Sequence, residues 1–309
     1  MDLKLVDTTT TASFVSAGGA ITDSGVISAS TLTTTSVGGT TLDNANTVRS
    51  FNATNKGGGA VSLTNTAAPL AVTGISNAGG GAITVTNTGQ VNVTGVVSAT
   101  GGNGSITITA SSPLNVTNTI TAAGTGSVTL TAGSAGAFNN TSTVTGPGGV
   151  TVNSGSITAF GTVNAGTSTI TVNNGAGALD IGLLDAGTLT GSALSVTSGN
   201  MTTVSGLAFT GNMTLNSSGA ITVTNAVSST GSLSATATGA ITGTAGGIGG
   251  SSLTLNGSTV GTAGAGNELL LGTVGTLSGS VNGAAGTDVF NVKAGGALSI
   301  GTITTGTTV

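Results

Sequence analysis

Residues 57–78 read GGGAVSLTNTAAPLAVTGISNA, and residues 79–100 repeat that stretch almost position for position as GGGAITVTNTGQVNVTGVVSAT. Two looser copies follow, GGNGSITITASSPLNVTNTITAA (101–123) and GTGSVTLTAGSAGAFNNTSTVTG (124–146). Tandem copies of this length are typical of repeat proteins, in which one copy cannot bury its apolar face alone and packs on its neighbours. The repeat therefore decides the fold before any single residue does.

Each copy contains three short runs of alternating apolar and polar residues, separated by Gly, Asn, Ser or Pro. In residues 79–100 the runs are AITVT, QVNV and GVVS. Runs this short and this regular predict β-strands joined by tight turns. Three strands recurring at a period of about 22 residues predict an all-β fold, a right-handed parallel β-helix or β-solenoid, with the handedness expected of parallel crossovers.

The repeat also predicts which apolar residues fill the core. The central apolar residue of the first run falls at Leu63, Val85, Ile108, Leu130, Val152, Val172 and Val196. The second run contributes Val72, Val93, Val116 and Ile181, and the third run contributes Ile75, Val96, Ile120, Val144 and Val163.

The regularity of the repeat divides the chain into three parts. Residues 57–186 are expected to form regular solenoid turns, and residues 187–309 a less regular continuation in which stretches such as MTLNSSGAITVTNA (213–226) keep the alternation. Residues 1–56 are irregular, and they are expected to form either poorly matched turns or a cap.

The composition limits both the core and the function. Aromatic residues make up 2% of the 309 residues and charged residues 4%, while 56 residues are glycine. Few bulky side chains are available, so the core must be thin. The mean hydropathy of +0.43 is positive, whereas disordered chains have a low mean hydropathy.

The cations of the chain are few and scattered, at Lys4, Arg49, Lys56 and Lys293. Binding to a phosphate backbone needs clustered cations, so we expect no nucleic acid partner.

Other classes are excluded by missing residues. The chain has no Cys, which rules out disulfides and thiol chemistry. The chain contains no run of about 18 consecutive apolar residues, which is the length that would predict a transmembrane helix. The first residues lack a basic region followed by an apolar stretch. Either the chain stays where it is made, or it is a piece of a longer secreted protein whose export signal lies outside this chain.

Catalytic groups are sparse. There is no His, and the only acids close together in a repeat are Asp180 and Asp185 in ALDIGLLDAG. Paired carboxylates can cleave glycosidic bonds, but this stretch has no cations or aromatic residues to hold a sugar. We therefore expect two solvated turn residues and a non-enzymatic protein. The glycine runs precede strands rather than helices, which argues against a phosphate-binding loop.

One stretch, NGAAGTDVFNV (282–292), approaches the calcium-binding nonapeptide of parallel β-rolls. Gly283, Gly286, Asp288 and Phe290 match its pattern, and Ala284 replaces the second glycine. Calcium in such rolls lies between consecutive copies, and only one copy is present. Two interpretations are open: a structural turn, or a weak Ca²⁺ site with Asp288 as a ligand. No other cofactor is expected.

Threonines flank the core residues of the first run. Since alternate strand residues point to opposite faces, an outward array is expected. Its members are Thr84, Thr86, Thr107, Thr109, Thr129 and Thr131. The Thr-x-Thr pattern resembles ice-binding solenoids, although it changes to Thr-Val-Asn at 151–153 and 171–173. Thr is also simply favoured on exposed strand faces.

The repeated GGGAITVTNTG turns and the stretch LSGSVNGAAGTDVFNV together resemble the repetitive passenger regions of filamentous-haemagglutinin-like and autotransporter-type bacterial surface proteins. The likeness covers most of residues 57–300 and lies in repeat style; the family's Asn-Pro-Asn secretion signature does not occur in this chain. The resemblance implies a secreted β-helical rod on the cell surface.

The expected function is accordingly that of an extracellular, structural rod of an adhesin-type protein. It would mediate adhesion to a host or neighbouring cell, or coat the surface. Two alternatives stay open: a filament or matrix subunit that self-associates end to end, and an ice-binding solenoid acting through its Thr array.

Overall fold

The structure is a computed structural model that describes residues 1–243, 245–283 and 288–306. The chain divides into two compact units, Met1–Ser168 (unit 1) and Thr169–Val309 (unit 2). Both are built almost entirely from β-strands, and the fold is a parallel β-solenoid of about 14 turns with about 21 residues per turn.

Unit 1 contains eighteen of the described strands. They are β1 (Asp2–Leu3), β2 (Val6–Asp7), β3 (Thr11–Val15), β4 (Ile21–Asp23), β5 (Ile27–Ser36), β6 (Thr40–Asn55), β7 (Val61–Asn65), β8 (Leu70–Asn77), β9 (Ile83–Asn87), β10 (Val91–Val93), β11 (Val97–Ala99), β12 (Ile106–Ala110), β13 (Leu114–Val116), β14 (Ile120–Ala122), β15 (Val128–Thr131), β16 (Ala137–Thr145), β17 (Val150–Asn153) and β18 (Ser156–Asn164).

Unit 2 contains fifteen described strands and one short 3₁₀-helix, Ile181–Ala186. The strands are β19 (Thr169–Asn173), β20 (Leu179–Asp180), β21 (Leu189–Thr190), β22 (Ala193–Ser198), β23 (Met201–Thr202), β24 (Leu207–Phe209), β25 (Asn212–Ser217), β26 (Ile221–Thr222), β27 (Val227–Ser229), β28 (Ser232–Ala237), β29 (Ile241–Thr242), β30 (Ile248–Gly257), β31 (Leu269–Val281), β32 (Val292–Ala294) and β33 (Ser299–Thr305).

Each turn crosses three faces, and the strand residues on one face pair in parallel with those of the next turn. Face 1 carries the first run of each turn, for example β7, β9, β12 and β15. Face 2 carries the second run, as in β10 and β13. Face 3 carries the third, as in β11 and β14. The predicted parallel solenoid with three strands per turn is confirmed.

The core consists of apolar columns that run from turn to turn. On face 1, Leu63 pairs with Val85, Val85 with Ile108, Ile108 with Leu130, and Leu130 with Val152. All five side chains are buried. The repeat predicts this column correctly because the strands of face 1 are five residues long or nearly so, and their alternation is unbroken.

The third run differs from prediction by one residue. Ile75 pairs with Val97, and Val97 with Ile120, whereas Val96 is 49% exposed. The corner between faces 2 and 3 gains one residue at this turn. Val72 and Ile75 are three positions apart, but their partners Val93 and Val97 are four apart. With two valines side by side, the alternation alone does not choose between them.

Residues 1–56 form turns of the solenoid. Strands β1 to β6 occupy this segment, and Leu32 pairs with Phe51, which pairs in turn with Val72. Strands β5 and β6 run continuously round corners, as β8, β16 and β18 do later in unit 1. The two compact units divide between Ser168 and Thr169, and the change in repeat regularity expected at 186/187 stays a prediction.

Unit 2 is more regular than its sequence suggests. Leu194 pairs with Met213, Met213 with Leu233, and Leu233 with Leu253, at spacings of 19 or 20 residues. These turns are shorter than the repeat of residues 57–146, so a 22-residue template loses register with them. Ile181, expected in a second-run strand, is instead buried in the 3₁₀-helix.

Buried asparagines line the corners of unit 1. The Asn55 amide donates to Oδ1 of Asn77 (2.9 Å), and the Asn65 amide donates to Oδ1 of Asn87 (3.0 Å). These side chains also donate to corner carbonyls, as Asn77 does to Gly81 (2.8 Å). Backbone carbonyls at a sharp corner lack a ladder partner, and an enclosed amide satisfies them.

Candidate functional site

The most regular outward surface of unit 1 is the hydroxyl array of face 1. One column follows Ser62, Thr84, Thr107, Thr129 and Thr151 from strand to strand, and a second follows Thr64, Thr86, Thr109, Thr131 and Asn153. Every one of these side chains is at least partly exposed. All six threonines predicted from the sequence therefore lie together on one face.

The buried columns beneath hold this array in place. The residues on either side of Thr84, Thr107 and Thr129 are fully buried. They are Ile83, Ile106 and Val128 on one side and Val85, Ile108 and Leu130 on the other. Because the pleat alternates, fixing these residues inward fixes the threonines between them outward. The hydroxyls then repeat at about 4.8 Å across strands and about 6.8 Å along each strand.

Unit 2 carries a corresponding array that the sequence analysis missed. One outward column of face 1 follows Thr171, Ser195, Thr214, Ser234, Thr254 and Ser278. The next follows Asn173, Thr197, Asn216, Thr236, Asn256 and Ser280. The signal was present as Ser, Thr and Asn alternating with Leu, Val and Met, but the 22-residue template did not align these turns.

Neighbouring side chains in the second column of unit 2 bind one another. The Ser280 hydroxyl donates to Oδ1 of Asn256 at 2.9 Å, and the Asn256 amide lies 3.5 Å from the Thr236 hydroxyl. In unit 1 the Asn115 amide donates to Oδ1 of Asn92 (2.8 Å) on face 2. These contacts order the outer surface, so its polar groups are presented at fixed positions.

The members of these columns carry no formal charge, and the Ser62 hydroxyl at one end of the first column donates to Oδ1 of Asp43 (2.8 Å). The face-1 columns of both units contain only Ser, Thr and Asn. An array of neutral donors and acceptors binds through many short-range hydrogen bonds rather than by attraction over distance. It suits contact with an extended, uncharged and hydroxylated surface.

Asp180 is a structural residue of the 3₁₀-helix. Its Oδ1 accepts from the backbone N–H of Gly182 (3.0 Å) and from that of Val204 (3.0 Å), as helix-capping carboxylates do. Asp185 is exposed. A carboxylate that satisfies two backbone donors is positioned to hold the loop, and these contacts give it a structural explanation.

Asp288 is half-buried, and its Oδ1 atom is enclosed without a hydrogen-bond partner among the described residues. The matching positions Ala284 and Gly286 lie outside the described residues. Elsewhere in the part of the chain that the structure describes, no group of three or more His, Cys, Asp or Glu side chains could hold a metal ion.

A shallow groove of about 740 Å³ lies in unit 2. It is lined by residues near 226–230, 246–251 and 271–275, which are mainly Gly, Ser and Thr. No ionisable side chain contributes to its walls, so it offers no general acid or base.

No protein-family model matches the chain, and neither the curated proteins nor the solved structures contain a match. Over the residues described above, no helix is both long enough and apolar enough to cross a membrane.

Proposed function

We propose that the chain is a non-enzymatic structural segment of a bacterial surface protein of the adhesin type, and that face 1 of each unit makes the adhesive contact. The observation that supports this most directly is the pair of in-register, uncharged Ser/Thr/Asn columns on face 1. They occupy successive turns in both units, and contacts such as that of the Ser280 hydroxyl with Oδ1 of Asn256 (2.9 Å) hold their polar groups in place. The partner that we assign to face 1 is the surface of a host cell or of a neighbouring cell.

The test is binding of the full chain to cells. Beads coated with the protein should adhere to epithelial or bacterial cells, and soluble protein should compete. Thr107→Lys places a charged side chain in the centre of the face-1 array, and we expect it to reduce bead adhesion several-fold. Thr121→Lys on face 3 is the matched control, since Thr121 is also an outward threonine between buried neighbours.

Two outcomes would contradict the proposal. One is adhesion by the Thr107→Lys protein equal to that of the unaltered chain. The other is an equal loss in both variants, which would indicate that the lysines act through stability rather than contact. Thermal unfolding of both variants separates that explanation from a direct effect on adhesion.

A second function is favoured by a narrower observation. Thr84/Thr86, Thr107/Thr109 and Thr129/Thr131 form three consecutive Thr pairs in full register, so hydroxyls and methyls repeat in two dimensions as an ordered water layer would require. This supports ice binding by unit 1. Thermal hysteresis measured on the full chain tests it, and freezing and melting points that coincide would exclude it.

The filament alternative stays a prediction. A parallel solenoid whose terminal strands find partners in other copies would grow end to end, since unpaired strand edges recruit further strands. Light scattering across a concentration series tests this. A monodisperse monomer at high concentration would contradict it.

A further inference from the structure

The single arginine of the chain lies at a polar cleft on face 2 of unit 1. This cleft, of about 290 Å³, is lined by Asp7, Thr8, Thr9, Ser28, Ala29, Ser30, Thr47 and Arg49. Its lining includes both an anion and a cation, Asp7 and Arg49. In a chain with so few charges, opposite charges on a hydroxyl-lined cleft call for a chemical explanation.

The strand register sets the layout of this cleft. Asp7 pairs with Ser28, and Ser28 with Thr47, so one outward column runs from the carboxylate over two hydroxyls. Asp7 and Thr47 are two strand spacings apart, roughly 10 Å. Arg49 follows Thr47 by two residues and projects from the same face. The carboxylate and the guanidinium therefore stand at opposite sides of a hydroxyl floor.

Neither charge has a partner among the residues that the structure describes. Arg49 and Asp7 are both exposed, and within the described ranges their charged groups make no ion pair or hydrogen bond with another residue. The Ser30 hydroxyl, by contrast, is held by donation to the Thr9 carbonyl at 2.7 Å. The floor is ordered while both charged groups are available to a ligand.

We propose that this cleft binds a carboxylate-bearing sugar unit, a uronic acid, within a glycan. A guanidinium forks onto a carboxylate through two parallel hydrogen bonds. Asp7 accepts from ring hydroxyls at the other side of the cleft, and the Ser and Thr side chains bind those between. Because Asp7 opposes a second negative charge, the cleft favours a singly charged, hydroxylated ligand over phosphate. The inference rests on the proposed adhesive function and names a ligand class for it.

The experiment uses the full chain and short oligomers of galacturonate, glucuronate and mannuronate, with affinity measured by calorimetry. At least one oligomer should bind the unaltered protein, and its methyl ester should bind at least tenfold more weakly. Arg49→Gln should weaken binding of the free acid at least tenfold and abolish the difference between acid and ester. Asp7→Asn should cost a few-fold.

Lys56→Gln is the matched control, because it removes another exposed cation of unit 1. We expect it to leave the affinity unchanged. Equal losses in Lys56→Gln and Arg49→Gln would overturn the proposal in favour of unspecific attraction. No binding of any of the three acids at millimolar concentration would also overturn it.

The bead assay separates this inference from the proposed function. Adhesion that persists in Arg49→Gln, together with absent uronate binding, would refute the cleft and leave face 1 as the adhesive surface. Uronate binding that persists while Thr107→Lys has no effect on adhesion would refute the role of face 1 and leave the cleft.

Discussion

At the scale of single residues, the corner glycines show how closely successive turns approach. A Cβ on Gly79 would overlap the carbonyl of Gly57 in the preceding turn, whereas a Cβ on Gly58 would meet no atom within 4 Å. Gly58 is the second glycine of the GGG stretch 57–59, and Gly79 is the first glycine of its copy at 79–81; the motif alone does not show which of the two is in close contact. The stacking of one turn on the next creates it.

Gly79→Ala should therefore destabilise unit 1 by roughly 2–3 kcal/mol or prevent folding, because backbone must move to relieve the overlap. Gly58→Ala should stay within about 0.5 kcal/mol of the unaltered chain. Urea unfolding followed by circular dichroism measures both. Equal stabilities of the two variants would contradict the register of this corner.

Enclosed amides should matter more than outward amides of the same type. Asn77 is fully buried and satisfies the Gly81 carbonyl and the Asn55 amide. Asn77→Ala should cost roughly 2–3 kcal/mol, since each buried polar group left unpaired costs about 1–3 kcal/mol. Asn92→Ala, on the outer side of face 2, should cost about 1 kcal/mol or less because water replaces its partners. A reversed order in urea unfolding would count against the buried amide column.

Asp288 lies in the single approximate copy of the calcium-binding nonapeptide, residues 282–292, and its ability to bind Ca²⁺ can be tested directly. Calcium takes six to eight oxygen ligands, several of them carboxylates, and Asp288 is the only acidic residue in 282–292. We expect millimolar Ca²⁺ to leave the melting temperature unchanged, as a ligand selective for the folded state must raise it. A rise in the unaltered chain that is absent in Asp288→Asn would establish the site instead.

At the scale of strands, the sequence predicts face 1 well and the corners poorly. Alternation in AITVT or SITIT specifies which residues point inward, so Val85 and Ile108 follow directly from the pattern. Corner length is set by how the backbone turns over the preceding turn, and one extra residue there moves a strand by one position. That is why Val96 was predicted in place of Val97, and why Ser and Thr columns in the shorter turns of unit 2 went unrecognised.

Valine truncations on face 3 test the corrected register. Val97→Ala removes buried methyl groups from the column of Ile75 and Ile120, and it should cost about 2 kcal/mol, near the lower end for buried aliphatic truncations. Val96→Ala should be nearly neutral, since Val96 is 49% exposed. A greater loss for Val96→Ala in urea unfolding would restore the register expected from the repeat.

At the scale of the whole molecule, stability comes from many similar small contributions. Each turn adds a few buried aliphatic side chains, each worth roughly 1.5–3 kcal/mol, together with one ladder of hydrogen bonds per face. The structure describes no ion pair in residues 1–243, 245–283 and 288–306. Composition predicts this: with twelve charged residues spread over 309, the core and the backbone ladders must hold the fold.

Salt therefore separates the forces that fold this chain from those that we assign to its cleft. Sodium chloride between 0.05 and 0.5 M should leave the urea midpoint almost unchanged, because screening acts on charge pairs. Sulfate should raise the midpoint by strengthening apolar burial. Uronate binding, in contrast, should weaken over the same range of chloride, and only while Arg49 is present. A midpoint that falls steeply with chloride would show that ionic contacts hold the fold, contrary to the apolar columns described above.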